Sequence, residues 1–539
     1  MKATLYKHRP RERRKAQISP SRTWRASREY DQRPYPTVEI FPKGHDSMAS
    51  EKVWATMNRI LRLLISKQIF LAVAALIVLQ SSAPRLMAIP AFARKYRTAC
   101  ATCHNNWPEL NDFGRAFKLN GFKFPKDDEQ FVKDPPLLLG AQAQKESFPN
   151  SIYPGELPIL PIAFRYSGYF SHTSSQPAAL TAANGYVPPT DLFAPNTFTI
   201  LAAGSLGPSV AFWIDDDLST GGSGADGGLG DGYIKANNLL HFLHVPQNDF
   251  NVRYGQYELD LPFTQARTIN LTDYAIYDET ANVNPSGSGP LPGTTANPFA
   301  FADGQRGIEF GGYPNRGYTW WSVAVINGAD AAGTVNAKDV YARFSQRFDL
   351  EKNPEQRKEV QASDNTGVHD HTSIRFDGFA YYGRSQQNQA GDLYPGLPTI
   401  TNPFYRAGGS VDYKFRSKFE LWGLYLHAHD TNKVLSDDST AFVDGTAVTY
   451  SGGFLEAEYW VYPWLVGLMR YDGVNSPTDR INGISRYDTR NTFSPGLQVI
   501  ARPNIKMELE YTFGYEQPVP NATTFYRANQ LLAGVDFVF

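Results

Sequence analysis

Cysteine is almost missing from this chain, with two residues, Cys100 and Cys103, in 539. Two thiols cannot staple a fold of that size, so a disulfide-rich scaffold is excluded. Methionine is scarce as well, at 6 residues, and the last two are Met469 and Met507. The apolar run IFLAVAALIVL at 69–79 is too short to cross a bilayer as a helix. A basic surplus is also lacking. With residues 1–88 set aside, 35 Lys and Arg face 47 Asp and Glu, a formal charge of −12. That balance argues against a nucleic-acid partner and for cations or a cation-rich surface.

What the chain does have is aromatic and turn residues: 34 Phe, 30 Tyr and 9 Trp beside 44 Gly and 37 Pro. This composition points to strands and turns. The run at 69–79 follows Arg59, Arg62 and Lys67 and precedes small residues, the order of a secretory signal cleaved after Ala88. Residues 57–88 are therefore expected to be the signal. Residues 1–56 form a basic extension whose place suggests a start at Met57 or Met48.

From about residue 160 the pattern has period two. In NIKMELEYTFGY (504–515), Ile505, Met507, Leu509, Tyr511 and Phe513 share one face, and Lys506, Glu508, Glu510 and Thr512 the other. About sixteen such segments follow one another, beginning near 161–171 and ending at 526–539. Most have the length of a tilted membrane-spanning strand. Short turns such as 206–209, 416–418 and 502–504 alternate with long polar loops such as 172–196, 258–306 and 473–489. That one-sided asymmetry predicts an all-β fold, an outer-membrane antiparallel β-barrel of about 16 strands over 151–539. The polar connection 349–372 breaks the rule, either as a periplasmic flap or as a miscounted strand. A soluble β-sandwich would keep the alternation but gives no reason for apolar, aromatic faces on nearly every strand.

The cysteines stand in TACATCHNNWPELNDFGRAFKLNGF (98–122), as Cys-x-x-Cys-His. In an exported chain this spacing suits covalent haem. Cys100 and Cys103 form thioethers with the porphyrin vinyl groups, and His104 reaches the iron as proximal ligand. A structural zinc site lacks further cysteines, a thioredoxin-like pair lacks its βαβ setting, and a plain disulfide leaves His104 unexplained. Pro108 can open a helix and Gly121 close it, with Leu110, Phe113 and Phe117 on one face. Residues 89–150 are too few for an independent core, so this small helical haem c segment is expected to dock in, or plug, the lumen and borrow apolar burial from the wall.

The stretch IPAFARKYRTACATCHNNWPELNDFGRAFKLNGF resembles the start of the fused monohaem cytochrome–porins of bacterial outer membranes, whose best-known members are iron-oxidising outer-membrane cytochromes. The resemblance is carried by Pro90, Phe92-Ala93-Arg94, Cys100, Cys103-His104, Pro108, Leu110-Asn111, Phe113-Gly114-Arg115, Phe117-Lys118 and Gly121. It departs from the iron oxidases at Lys95-Tyr96-Arg97-Thr98, and 125–160 is similar to a related branch. The resemblance implies one covalent haem c in an outer-membrane electron-transfer protein. An extracellular redox-active metal such as Fe(II), or another donor or acceptor, would exchange electrons with a periplasmic carrier such as a soluble c-type cytochrome. An iron:cytochrome oxidoreductase is the enzymatic form of that expectation. The alternative is a solute porin with the segment as gate, and a third reading is a haem protein with an open distal site.

For the distal position, Met469 and Met507 lie in phase with lipid-facing neighbours, which leaves histidine, water or an open site. In FELWGLYLHAH (419–429), Trp422, Leu424 and Leu426 share one face. That places His427 on the presumed lumen side and makes it the candidate distal ligand. The acidic stretch 215–232, densest at Asp215, Asp216 and Asp217, is read as a hydrated loop able to gather hard cations.

Overall fold

The computed structural model describes residues 91–124 except 106, scattered positions in 125–161, and most of 162–539. The connections 175–188, 221–228, 265–270, 283–295, 329–337, 351–371, 388–395, 478–490 and 519–524, and a few single residues, are not among the described ones. The expected extension at 1–56, the signal at 57–88 and most of the polar connection 349–372 thus lie outside the described residues.

Sixteen strands close one antiparallel barrel. In chain order they are β1 Ile162–Thr173, β2 Thr190–Ser205, β3 Val210–Thr220, β4 Leu229–Ala236, β5 Asn251–Tyr257, β6 Gln305–Gly312, β7 Thr319–Ile326 and β8 Asp339–Asp349. They continue as β9 Ser373–Gln387, β10 Ile400–Phe415, β11 Phe419–Asp430, β12 Val448–Tyr462, β13 Leu465–Asn475, β14 Asn491–Arg502, β15 Ile505–Pro518 and β16 Phe525–Val538. Each strand pairs with its sequence neighbours, and β16 returns to β1 with Val535 opposite Gly168. The terminal Phe539 finishes that seam: its N–H donates to Phe164 O at 2.9 Å, and its carbonyl accepts from Phe164 N–H at 2.7 Å. Closure leaves no strand edge and satisfies the backbone without water, which is what a bilayer demands. The expectation of about sixteen period-two strands is met along the whole wall.

Alternation sorts the side chains inside out. Tyr425 is 59% exposed and Met469 55%, with Phe344, Leu455 and Tyr459 also outward, while Arg406 and Glu456 are 0% exposed inside. An apolar outside on a closed barrel is the surface of an outer-membrane protein; on a soluble one it would drive aggregation.

The inward face is not uniformly polar, because the lumen is packed with protein. The connection after β5, expected as an outer loop, folds into the barrel. Its short helix Ala275–Asp278 and residues Leu259, Leu261, Tyr274, Phe299 and Phe301 are buried against Tyr341, Tyr381, Trp422, Leu424 and Phe454 of the wall. Wall arginines hold it by its backbone. Arg343 Nη1 donates to Leu261 O at 3.0 Å and Arg470 Nη1 to Thr272 O at 2.8 Å. Tyr450 OH donates to Glu279 O at 2.9 Å.

This packing corrects the reading of β11. Glu420, Trp422, Leu424, Leu426, Ala428 and Asp430 are buried toward the lumen, and Tyr425, His427 and His429 face out. His429 stacks on Tyr405 with ring centres 5.2 Å apart, and His427 lies 6.2 Å from the same ring. The apolar face of β11 packs on the inward loop rather than on lipid, so the rule that apolar means outward fails there.

Candidate functional site

Residues 91–124 lie against the inner wall. Helix α1 spans Ala91–Tyr96, a 3-10 turn spans Cys100–Thr102, and helix α2 spans Asp112–Leu119. An aromatic cluster of Tyr96, Phe113, Phe117, Phe122 and Phe124 forms their core. Phe92 and Cys103 pack onto it, and Ala203, Ala211 and Trp213 of β2 and β3 complete it. A segment this short cannot bury enough apolar surface alone, and the wall supplies the rest.

Polar contacts fix the segment at several points around the barrel. Arg94 Nη2 donates to Ile162 O at 2.8 Å, Lys235 Nζ to Leu119 O at 3.1 Å, and Gln247 Nε2 to Asn120 Oδ1 at 2.8 Å. Trp107 is buried under two cations of the wall, Lys506 Nζ at 4.9 Å and Arg165 Cζ at 6.0 Å from its ring centre. Glu109 lies 3.8 Å from Lys414 of β10. Contacts on β1, β4, β10 and β15 mean that the segment crosses the lumen.

The turn carrying Cys100, Cys103 and His104 is shaped from both sides. His104 N–H and Cys103 N–H each donate to Cys100 O at 3.0 Å. Asn111 ties this turn to α2. Its Nδ2 donates to Ala101 O and Thr102 O, each at 3.2 Å, its own N–H donates to Cys103 O at 3.0 Å, and its Oδ1 caps the helix by accepting from Gly114 N–H at 2.8 Å. Gly114 lies so close that a Cβ there would stand 1.9 Å from Cys103 O. Gly121, expected to end the helix, has φ +72, and a Cβ there would meet Asn237 Nδ2 at 2.2 Å.

The donor chemistry suits a haem. His104 Nδ1 lies 3.2 Å from Glu109 O, and a carbonyl can only accept, so Nδ1 carries the proton and, in the neutral ring, Nε2 keeps its lone pair. Burial pushes His104 down to about 4, against backbone hydrogen bonds that favour its charged form, so the ring is neutral and able to ligate. Burial pushes Cys100 up, and Cys103, which packs on the ring cluster, up to about 12. Both are free of a disulfide. Two thiols and a neutral, oriented imidazole on one turn fit covalent haem attachment.

Other expected residues are placed differently. His427 faces outward, as do Met469 and Met507, and His172, His241 and His244 are exposed. None of these described residues can ligate within the lumen. Asp215, Asp216 and Asp217 are not in a loop but in β3. Asp215 accepts from Trp213 Nε1 at 3.1 Å and Asp231 N–H at 2.6 Å, and Asp217 accepts from Thr199 Oγ1. Asn111 and Gly114 were visible as motif letters, but their task of bracing the cysteine turn was not. The inward loop carries no sequence signal of its burial, because its Gly, Asn and Pro content reads as an outer loop.

No family model matches the chain, and no curated protein matches it. Among solved structures the chain is similar to the outer-membrane channel DcaP of Acinetobacter baumannii, at 12% identity over 70% of this chain and 96% of that one, with TM-score 0.42. It is also similar to the anion-selective porin of Comamonas acidovorans, at 10% identity over 70% and 98%, with TM-score 0.44. Salmonella typhi OmpF, solved with daunomycin, shares 9% identity over 72% and 99%, with TM-score 0.43.

Proposed function

We propose that this outer-membrane barrel carries single electrons between an extracellular donor or acceptor, Fe(II) among the candidates, and a periplasmic carrier such as a soluble c-type cytochrome. The observation that carries the reading is the pairing of the His104 imidazole, oriented by Nδ1 on Glu109 O, with two thiols on the same turn inside the lumen. When bound, a haem c supplies the one-electron iron couple. Cys100 and Cys103 would hold it, and His104 would ligate its iron. Asn111 and Gly114 keep that turn pressed to α2, and the ring cluster from Tyr96 to Phe124 excludes water behind Cys103. Docking in the lumen places the site within a wall that would otherwise insulate the two compartments.

A second reading, solute passage with the segment as gate, is favoured by one observation. A cavity remains between the segment and the inward loop, lined by cations such as Lys235, Arg253 and Arg343 and by acids such as Glu109, Glu420 and Glu458. Lipid vesicles carrying the full chain, with a c-type cytochrome inside and Fe(II) outside, separate the two. Reduction of the enclosed cytochrome without solute leakage is the expected result. Folded chain that leaks small solutes and moves no electrons overturns the proposal.

A further inference from the structure

The connection from β4 to β5 lies at the same end of the barrel as Phe539, because neighbouring strands run in opposite directions. Short turns mark that end as periplasmic. The connection leaves three large apolar side chains in the open, Leu239, Leu243 and, at 72% exposed, Phe242. Residues 236–248 contain no Asp, Glu, Lys or Arg, and His241 and His244 are the titratable groups among them. An uncharged apolar patch at the end of a membrane wall needs a partner that removes it from water.

The exposure is built in. Asn238, His244 and Asn248 take left-handed backbone, with φ of +58, +61 and +66, a conformation held only where surrounding bonds dictate it. Asn238 Oδ1 accepts from Asn248 N–H at 2.6 Å, and Asn251 Oδ1 from Asn238 N–H at 3.0 Å. Gln247 Nε2 and Asn248 Nδ2 donate to Asn120 Oδ1 of the segment at 2.8 and 3.2 Å. The base of the connection is fixed, and the short turn His241–Leu243 projects from it.

The wall is low at this place. β4 has 8 residues and β5 has 7, against 15 in β9 and 16 in β10. A tilted strand of that length rises about 20 Å, short of an apolar band of about 25 Å. Phe250, which closes the connection, has its ring centre 6.1 Å from those of Phe310 and Trp321. Those two residues alternate with the exposed Ile308 and Val323 on the outer face. The lipid-facing surface therefore reaches the connection at Phe250, and Leu239, Phe242 and Leu243 lie beyond the ends of the short strands. A transient soluble partner would leave these side chains in water between encounters, whereas lipid surrounds the barrel permanently.

We propose that Leu239, Phe242 and Leu243 insert among the phospholipids of the inner leaflet, so that the connection completes the membrane-facing surface where the wall is short. The inference goes beyond the electron-transfer reading and needs no haem.

The test replaces Phe242 by the photoreactive p-benzoylphenylalanine in the full chain and irradiates outer membranes holding the folded barrel. Trypsin then releases residues 236–253 for mass measurement, cutting after Lys235 and Arg253. A gain of one phospholipid on that peptide is the expected result. The same gain is expected with the probe at Tyr254, outward on β5, and none with it at Tyr341, buried in the lumen. Heat-modifiable gel mobility confirms that each variant is a closed barrel. Lipid labelling from Tyr254 but not from Phe242 overturns the proposal, as does a cross-link from Phe242 to a second copy or to a periplasmic protein in place of lipid.

Discussion

Gly114→Ala tests how the cysteine turn is built, because two effects of opposite sign meet there. In an ordinary helix interior this change stabilises by about 1 kcal/mol. Here the new Cβ would stand 1.9 Å from Cys103 O, 2.7 Å from its carbonyl carbon and 2.9 Å from its Cα, all backbone that no rotamer change can clear. Helix α2 must move away from the turn. Overpacking costs about 1–3 kcal/mol. Moving α2 also stretches the bond from Asn111 N–H to Cys103 O, 3.0 Å at present, worth about 1 kcal/mol. The clash wins, and the segment should lose about 2 kcal/mol, equivalent to roughly 30-fold faster opening. Hydrogen exchange of peptides covering 98–120, measured on the folded barrel in detergent, reads that opening directly. Exchange unchanged or slowed, as helix propensity alone would give, refutes the reasoning.

Trp107→Ala removes a buried ring from between Lys506 and Arg165 and should cost the docked segment about 3–5 kcal/mol, seen as protease release of 91–124 from an intact barrel. Asn111→Leu leaves Ala101 O, Thr102 O and Gly114 N–H without their partner. It should lower thioether formation while the barrel assembles normally, checked by haem stain against heat-modifiable mobility. Deleting 89–150 should raise planar-bilayer conductance only modestly, because the inward loop still fills the lumen; deleting 262–303 as well should give a large step. Phe299→Ala, which removes a ring whose centre lies 4.2 Å from that of Tyr381, should loosen that loop by about 3–5 kcal/mol and bring flickering conductance in the deletion background.

The wall was legible in the sequence because period two has one interpretation when strands follow each other through short turns. Lys506, Glu508, Glu510 and Thr512 turn inward as their alternation predicts, and Met507, Leu509 and Phe513 turn outward. Legibility ended where both faces of a strand meet protein or lipid. Trp422, Leu424 and Leu426 look like a lipid face, yet the loop carrying Tyr274 and Phe299 occupies the space inside them, and His427 is turned out as a result. That loop gave no warning, since its buried rings are spaced irregularly among Gly, Asn and Pro. The cysteine motif was legible as chemistry. The carbonyl of Glu109 and the close approach of Gly114, which orient that chemistry, depend on a turn that no spacing rule describes.

The proposed electron transfer requires Cys100 and Cys103 to carry a covalent group inside the membrane barrel. Intact-mass measurement of the chain purified from outer membranes tests it most directly. A mature chain heavier than its polypeptide by one haem is expected, with the added mass lost when both cysteines are changed to serine. A folded barrel at the bare polypeptide mass would contradict it.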